Sequence, residues 1–129
     1  GFDLVLSPGS IIAELCGGTE RIRLRFRHRY EVDPKYVASL EEHGLIFSGR
    51  SPDYPIMQVL ELPRSKHPFF LATQAHPELT SRPMRPQPMF IGLVRAALAK
   101  SGVAAENLRE PTARGLSPSD SLGATAAQA

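Results

Sequence analysis

The chain has 129 residues, of which 42% are hydrophobic, and its formal net charge at pH 7 is +2. This length provides a core for about one domain, and so small a charge excess gives no indication of nucleic-acid binding. One cysteine excludes an internal disulfide, and no apolar stretch approaches the ~18 residues of a membrane span. We therefore expect a cytoplasmic chain with neither nucleic-acid nor membrane partners.

The first elements alternate between strand and helix. A short strand is predicted at 4–6, and Ser10 is predicted to cap a helix over 11–15. Residues 21–30 alternate between arginine and mostly apolar side chains, and this period of two predicts a longer strand. Asp33, which a proline follows, predicts the start of a second helix.

The second half of the sequence predicts three strands and a helix. The strands lie at 45–48, 56–62 and 68–73, and the helix lies at 89–99. Because a helix and several short loops connect the strands, we expect a mixed sheet. The apolar helix face, predicted to pack in the core, consists of Phe90, Leu93, Val94 and Leu98. Small and polar residues dominate 101–129, so a disordered tail is predicted there.

A histidine and a glutamate follow the third of these strands. His76 and Glu78 are separated by Pro77, which stiffens the turn between them. Open α/β sheets place their chemistry at the carboxyl ends of strands. His76 is therefore a candidate base that takes a proton from a nucleophile, and Glu78 is a candidate carboxylate that orients the imidazole. A surface turn with two polar residues is the alternative.

The arginine-rich strand contains a second candidate group. Arg29 closes the strand beside Tyr30, and an arginine in that position is suited to bidentate binding of a carboxylate. For Arg21, Arg23 and Arg25, an exposed sheet face or a subunit contact is as good an explanation as a binding role. His28 lies on the apolar side and is predicted to be a packed imidazole rather than a ligand.

Neither a nucleophile nor a metal site is evident. Cys16 follows a helical stretch and lacks the strand-to-helix elbow that exposes a nucleophile, so a buried, inert thiol is predicted. No cysteine and histidine residues have metal-site spacing. We therefore expect no metal or cofactor in this chain.

Five motifs resemble one known family in their order and spacing. They are Arg27-His28-Arg29-Tyr30-Glu31-Val32, Gly44-Leu45-Ile46-Phe47-Ser48-Gly49, His67-Pro68-Phe69-Phe70, Gln74-Ala75-His76-Pro77-Glu78-Leu79, and Ser81-Arg82-Pro83 with Arg85-Pro86. The series resembles the C-terminal part of the class I glutamine amidotransferase domain in the CTP synthase family. The resemblance implies a flavodoxin-like α/β fold with a mixed, mostly parallel sheet, of which residues 1–100 form a part.

The resemblance also implies roles for individual residues. CTP synthases hydrolyse glutamine with a Cys-His-Glu triad, and His76 and Glu78 match its histidine and glutamate. Arg29 matches the arginine that holds the carboxylate of L-glutamine, with Tyr30 beside it. The nucleophile belongs to a Gly-x-Cys-x-Gly elbow that these 129 residues do not contain.

For a whole CTP synthase, the resemblance implies synthesis of CTP, a pyrimidine nucleotide, from UTP, ATP and glutamine. ATP and Mg²⁺ would act in a separate synthetase domain, and the family forms homotetramers. We accordingly expect a fragment or truncated homologue that is inactive alone. Three alternatives stay open: one subunit of a split amidotransferase, a non-catalytic glutamine-binding regulatory module, and an independent hydrolase that uses Cys16, His76 and Glu78.

Overall fold

The computed structural model describes residues 1–102. The strands are β1 (Phe2–Leu6), β2 (Arg21–Leu24), β3 (Ile46–Arg50), β4 (Met57–Glu61) and β5 (Leu71–Thr73). The α-helices are α1 (Ile11–Leu15), α2 (Val37–Glu42) and α3 (Pro88–Lys100), and single 3-10 turns lie at Pro34–Tyr36 and Pro77–Leu79. Each predicted strand and helix is present in this region, although several of their ends differ from the prediction.

The strands form one sheet in the order β2-β1-β3-β4-β5. All four pairings in the described part of the chain are antiparallel. The expectation of a mostly parallel sheet is therefore wrong for these residues. The loops between β3 and β4 and between β4 and β5 are short, and short loops join antiparallel neighbours, whereas parallel neighbours need crossovers of a dozen or more residues.

The arginine-rich strand is shorter than its alternating pattern predicts. β2 ends at Leu24, which lies opposite Phe2, the first residue of β1. Beyond Leu24 no residue of β1 remains to extend the ladder. Two residues later Phe26 forms an isolated antiparallel bridge with Ala75, which follows β5 at the opposite edge of the sheet. The two edges of the sheet therefore meet here, and the segment after β2 lies alongside the segment after β5.

Helix α1 is fixed at both of its ends. Ser10 caps it, as the sequence predicts, and its hydroxyl accepts a hydrogen bond from the Ala13 amide at 3.2 Å. Gly17 and Gly18 end the helix with φ angles of 74° and 78°, which glycine adopts without strain. The Gly18 amide donates to the carbonyl of Ala13 at 2.8 Å.

The core lies between the sheet and helices α1 and α3. Its buried residues are Leu4, Leu6, Ile12, Ala13, Leu24, Val59, Ala75 and Met89. Gly49 of β3 lies so close to β4 that a Cβ atom there would be 2.7 Å from Cγ2 of Val59. A side chain at this position would therefore separate the two strands.

The predicted packing face of α3 is wrong. Met89 and Gly92 are the buried residues of this helix, whereas Phe90, Leu93 and Val94 are 40%, 56% and 48% exposed. Gly92 explains the choice of face, because a Cβ there would lie 2.8 Å from atoms of both Leu15 and Phe69. The helix packs closely against Leu15 and Phe69 at its smallest residue, Gly92. A pattern based on hydrophobicity alone does not predict such a contact.

Two further expectations concern the C-terminal tail and membrane-spanning helices. Residues 103–129, most of the tail predicted to be disordered, lie outside the described residues. Within residues 1–102, no helix combines the length and the apolar character that crossing a membrane requires.

Candidate active site

His76 and Glu78 form a hydrogen-bonded pair just beyond β5. Nδ1 of His76 lies 2.8 Å from Oε1 of Glu78. Pro77 begins the 3-10 turn Pro77–Leu79, and its ring restricts the backbone between the two side chains. The tight turn allows residues two positions apart to meet, so the predicted pair exists as a pair.

Backbone hydrogen bonds hold this corner against the segment that follows β2. The His76 amide donates to the carbonyl of Arg25 at 2.8 Å, directly beside the bridge between Phe26 and Ala75. Ala75 is 7% exposed and belongs to the core, so the residue before the histidine is anchored. The imidazole therefore extends from a fixed backbone.

The electrostatics of the pair favour an ionised Glu78. The hydrogen bond from His76 is the main cause that lowers the pKa of Glu78 below its ordinary value of 4.5. A hydrogen bond from the amide of Glu78 itself and the charge of Arg27 act in the same direction. An ionised carboxylate only accepts hydrogen bonds, so Nδ1 of a neutral His76 holds the proton and Nε2 presents a lone pair. This is the form of histidine that removes a proton from a nucleophile.

The pair is accessible from solvent. The side chains of His76 and Glu78 are 38% and 57% exposed. A group brought by another chain segment could therefore reach Nε2 of the imidazole without any rearrangement of the described residues.

The predicted carboxylate-binding residues lie on the neighbouring segment. Arg29 is exposed, and Tyr30 is 87% exposed. Nε2 of Gln74 donates to the carbonyl of Tyr30 at 3.3 Å, which links this segment to the residues just before His76. Within residues 1–102, the side chains of Arg29 and Tyr30 form no hydrogen bond with His76 or Glu78. The structure thus brings the two segments together without closing a binding site.

A second histidine–glutamate pair lies beside Arg29 and was not predicted. Nε2 of His28 lies 2.6 Å from Oε1 of Glu31, and the two side chains are 17% and 31% exposed. The imidazole also packs edge-on against Phe26, with ring centroids 5.6 Å apart. The prediction of a packed imidazole is correct for the packing and missed the partner. A histidine on an apolar strand face needs a hydrogen-bond partner, and Glu31, three residues on, was the available signal.

Cys16 does not have the properties of a nucleophile. Burial raises the pKa of its thiol to about 11, so the thiol stays protonated at neutral pH. It caps the C-terminal end of α1 and packs against the core cluster. The thiol predicted to be buried is half-buried, and a hydrolase that uses Cys16 has no support from this environment.

Glu61 of β4 is a buried carboxylate whose role sequence reasoning missed. It is 3% exposed, and its two oxygens accept from the amides of Ile11 at 2.9 Å and Ile12 at 3.4 Å. These are free amides of the first turn of α1, which favours a negative charge. Glu61 therefore binds helix to sheet, and its role is structural.

No metal cluster lies beside the pair in the described part of the chain. Among residues 1–102, no three or more His, Cys, Asp or Glu side chains are grouped so as to hold a metal ion. A cleft of about 130 Å³ lies over β4 and β5, with Val32, Gln58 and Gln74 among its lining residues. A wider cleft of about 470 Å³ has Glu31 and Tyr36 among its lining residues.

Comparison with known proteins identifies the family of this chain. The sequence pattern of the family "Glutamine amidotransferase class-I" matches residues 7–96. The chain belongs to the class-I glutamine amidotransferase family. The predicted α/β amidotransferase fold is thereby confirmed, with the correction to strand direction given above.

The similar amidotransferases are CTP synthases. The chain is 54% identical over 96 residues to CTP synthase of Thermobifida fusca, and 55% identical over 97 residues to that of Acidothermus cellulolyticus. These matches cover 74% and 75% of this chain but 17% of each relative. The chain thus spans about a sixth of the length of these relatives.

A solved structure gives the same result. The glutaminase domain of Trypanosoma brucei CTPS, which was solved with bound acivicin, superposes with a TM-score of 0.71 at 31% sequence identity. The match covers 76% of this chain and 38% of that domain chain. The predicted resemblance to CTP synthases is confirmed in both sequence and fold.

Proposed function

We propose that residues 2–100 form the C-terminal part of the glutamine-hydrolysing domain of a CTP synthase. The observation that supports this most strongly is the 2.8 Å contact between Nδ1 of His76 and Oε1 of Glu78 in a chain of the amidotransferase family. In this proposal the pair acts on a cysteine thiol that other residues supply. The function is release of ammonia from L-glutamine for the synthesis of CTP from UTP.

His76 moves the protons of the reaction. Because Glu78 occupies Nδ1, Nε2 takes the proton of the thiol, and the thiolate attacks the amide carbon of glutamine. The same nitrogen then gives its proton to the departing ammonia, which leaves a thioester. His76 next takes a proton from water, the hydroxide breaks the thioester to glutamate, and the proton returns to the thiol. Glu78 keeps the tautomer and stabilises the imidazolium.

Arg29 and Tyr30 form the part of the glutamine site that binds the substrate backbone. The guanidinium of Arg29 is always charged and matches the geometry of a carboxylate. Arg29 is exposed, which leaves its N–H donors accessible to the α-carboxylate of glutamine. This contact is present before and during the reaction, so it contributes to binding and to the choice of an α-amino acid.

The remaining parts of the enzyme lie outside this chain in our proposal. The thiol comes from an elbow with the Gly-x-Cys-x-Gly pattern, which the 129 residues do not contain. ATP and Mg²⁺ act in the synthetase domain, and we assign none of their ligands to residues 1–102. We also propose assembly as a cytoplasmic homotetramer, which the resemblance to CTP synthases supports.

A chimera tests this proposal. Residues 2–100 replace the matching segment of Thermobifida fusca CTP synthase, and CTP formation is measured with glutamine and, separately, with added ammonia. We expect glutamine-driven synthesis within about tenfold of the parent enzyme, since 54% identity preserves the segment. A chimera that makes CTP from ammonia but not from glutamine would contradict the proposal, because its synthetase would be intact while the segment fails.

The isolated chain separates the proposal from its alternatives. We expect the 129-residue chain to release no ammonia from glutamine above background, since partial burial raises the pKa of the Cys16 thiol to about 11 and keeps it protonated. Release that Cys16→Ala abolishes would instead support an independent hydrolase. Glutamine binding by the isolated chain, measured by calorimetry, would favour a binding module, and activity restored by a separate cysteine-bearing polypeptide would favour a split amidotransferase.

A further inference from the structure

The second histidine–glutamate pair encloses the proposed glutamine-binding residues. His28 and Glu31 stand immediately before and after Arg29 and Tyr30. The 2.6 Å contact between Nε2 of His28 and Oε1 of Glu31 closes this four-residue segment on itself. Any movement of the backbone at Arg29 or Tyr30 that separates the flanking residues must therefore break this contact.

Strand β4 holds the closed segment from a second direction. Nε2 of Gln58 donates to the same oxygen of Glu31 at 3.4 Å. The carbonyl of Gln58 accepts from the Thr73 hydroxyl at 3.1 Å and from the Gln74 amide at 3.0 Å. Gln58 thus contacts both the segment around Arg29 and the strand that leads to His76.

Gln74 completes the connection. Its amide donates to Gln58, as above, while its side-chain Nε2 donates to the carbonyl of Tyr30 at 3.3 Å. Two residues later the chain reaches His76. The carbonyl of Tyr30 and the imidazole of His76 are therefore fixed to the same short stretch of backbone.

Two buried polar atoms in this cluster lack partners in the described part of the chain. They are Nδ1 of His28 and Oε1 of Gln58. Buried polar atoms in folded proteins usually have hydrogen-bond partners. The hydrogen bonding of His28 and Gln58 is therefore not completed within residues 1–102.

We propose that His28, Glu31 and Gln58 are positioning residues that hold Arg29 at a set distance from His76, so that the α-carboxylate of glutamine is bound while its amide carbon faces the reacting groups. This inference rests on the proposed function. It assigns the recognition of α-amino acids to the cluster as well as to Arg29. In this inference the three residues act through Arg29 rather than by contact with the substrate.

The experiment measures how Glu31→Gln acts in the chimera with and without Arg29. The variant replaces a charged acceptor by a neutral amide of the same size, and Glu42→Gln, at an exposed glutamate of α2, is the matched control. Glutamine-driven CTP formation gives KM and kcat, and ammonia-driven formation reports whether the rest of the enzyme is intact. The same substitutions are then repeated in an Arg29→Ala chimera.

The expected result is a difference between the two backgrounds. With Arg29 present, Glu31→Gln raises the KM for glutamine about tenfold and lowers kcat less than threefold, because the lost contact is one of uniform binding. With Arg29→Ala, Glu31→Gln changes KM less than twofold, since the residue through which it acts is gone. Glu42→Gln changes neither constant more than twofold.

Two other results overturn the inference in distinguishable ways. An equal rise in KM in both backgrounds, or none in either, would show that Glu31 does not act through Arg29, while the proposed function stands. An unmodified chimera that uses ammonia but not glutamine would overturn the proposed function and this inference together.

Discussion

The molecule contains two histidine–glutamate pairs on adjoining segments, and their surroundings differ. His76 and Glu78 are 38% and 57% exposed, whereas His28 and Glu31 are 17% and 31% exposed. The bridge between Phe26 and Ala75 connects the segments that contain them. Two pairs with the same chemical groups therefore lie on one edge of the fold, one open to solvent and one packed.

The comparison shows that two features decide the role of a histidine. One is the exposure of its side chain, and the other is which ring nitrogen the glutamate contacts. In the open pair Glu78 binds Nδ1, and Nε2 is left for a reacting group. In the packed pair Glu31 binds Nε2, and the remaining Nδ1 is buried. The first arrangement suits proton transfer, and the second suits holding a segment in place.

Among the comparisons of the two pairs, the largest expected effect is on kcat and distinguishes the two carboxylates. Glu78→Gln in the chimera should lower the kcat of glutamine-driven synthesis about 10²-fold, because an amide does not hold the tautomer or stabilise the imidazolium. The variants are compared by initial rates at saturating glutamine. Glu31→Gln, which keeps kcat within threefold, is the matched control, and equal losses of kcat in the two variants would remove the distinction between the pairs.

The next expected effect distinguishes the two histidines by stability. His28→Ala should lower the free energy of unfolding of the 129-residue chain by about 1–3 kcal/mol, because it removes the shorter of the two hydrogen bonds to Glu31 and the packing on Phe26. His76→Ala should have a smaller effect on the free energy of unfolding, since this side chain is 38% exposed and its partner Glu78 is 57% exposed. Urea unfolding measures both variants, and the reverse order would contradict the assignment of the packed pair.

A smaller effect concerns the pH at which the open pair breaks. The pKa of Glu78 is lowered, so its pairing with His76 contributes fully above the ordinary value of 4.5 and is lost as the pH falls through the lowered pKa. A carboxyl-carbon NMR titration should give a midpoint below 4.5 for Glu78. In His76→Ala the midpoint should rise, because the main cause of the shift is removed, and an unchanged midpoint would show that the pair does not form in solution.

The smallest effect is expected at the cysteine. Cys16→Ser should change the rate of glutamine-driven synthesis by the chimera less than twofold, since a half-buried thiol with a pKa of about 11 supplies no thiolate. Initial rates with glutamine measure it. A loss comparable to that of Glu78→Gln would place Cys16 in the reaction.

Local chemistry explains what the sequence could predict. Ser10, Asp33 and Pro77 act within a few residues of themselves, so the start of α1 and the turn that joins His76 to Glu78 followed from their spacing. Asp33 caps the 3-10 turn Pro34–Tyr36, and α2 itself begins at Val37, after the predicted start. The order of the strands and their antiparallel directions depend on which distant segments pair, and an alternating pattern does not contain that information.

The features that were missed depend on contacts across long sequence distances. The ladder of β2 ends where β1 has no further residue, and α3 turns Gly92 toward Leu15 and Phe69. The contact of Gln58 with Glu31 spans 27 positions. The open pair was predictable because it is local, whereas the residues that support the neighbouring segment were not.

The most direct test of the central claim is His76→Ala in the chimera, measured as the ratio of glutamine-driven to ammonia-driven CTP formation. If His76 is the base, the ratio should fall about 10²–10⁴-fold, the usual contribution of a general acid–base group, while ammonia-driven synthesis is unchanged. His43→Ala, at an exposed histidine at the end of α2, should leave the ratio within twofold. A His76→Ala chimera that keeps the parent ratio would contradict the account.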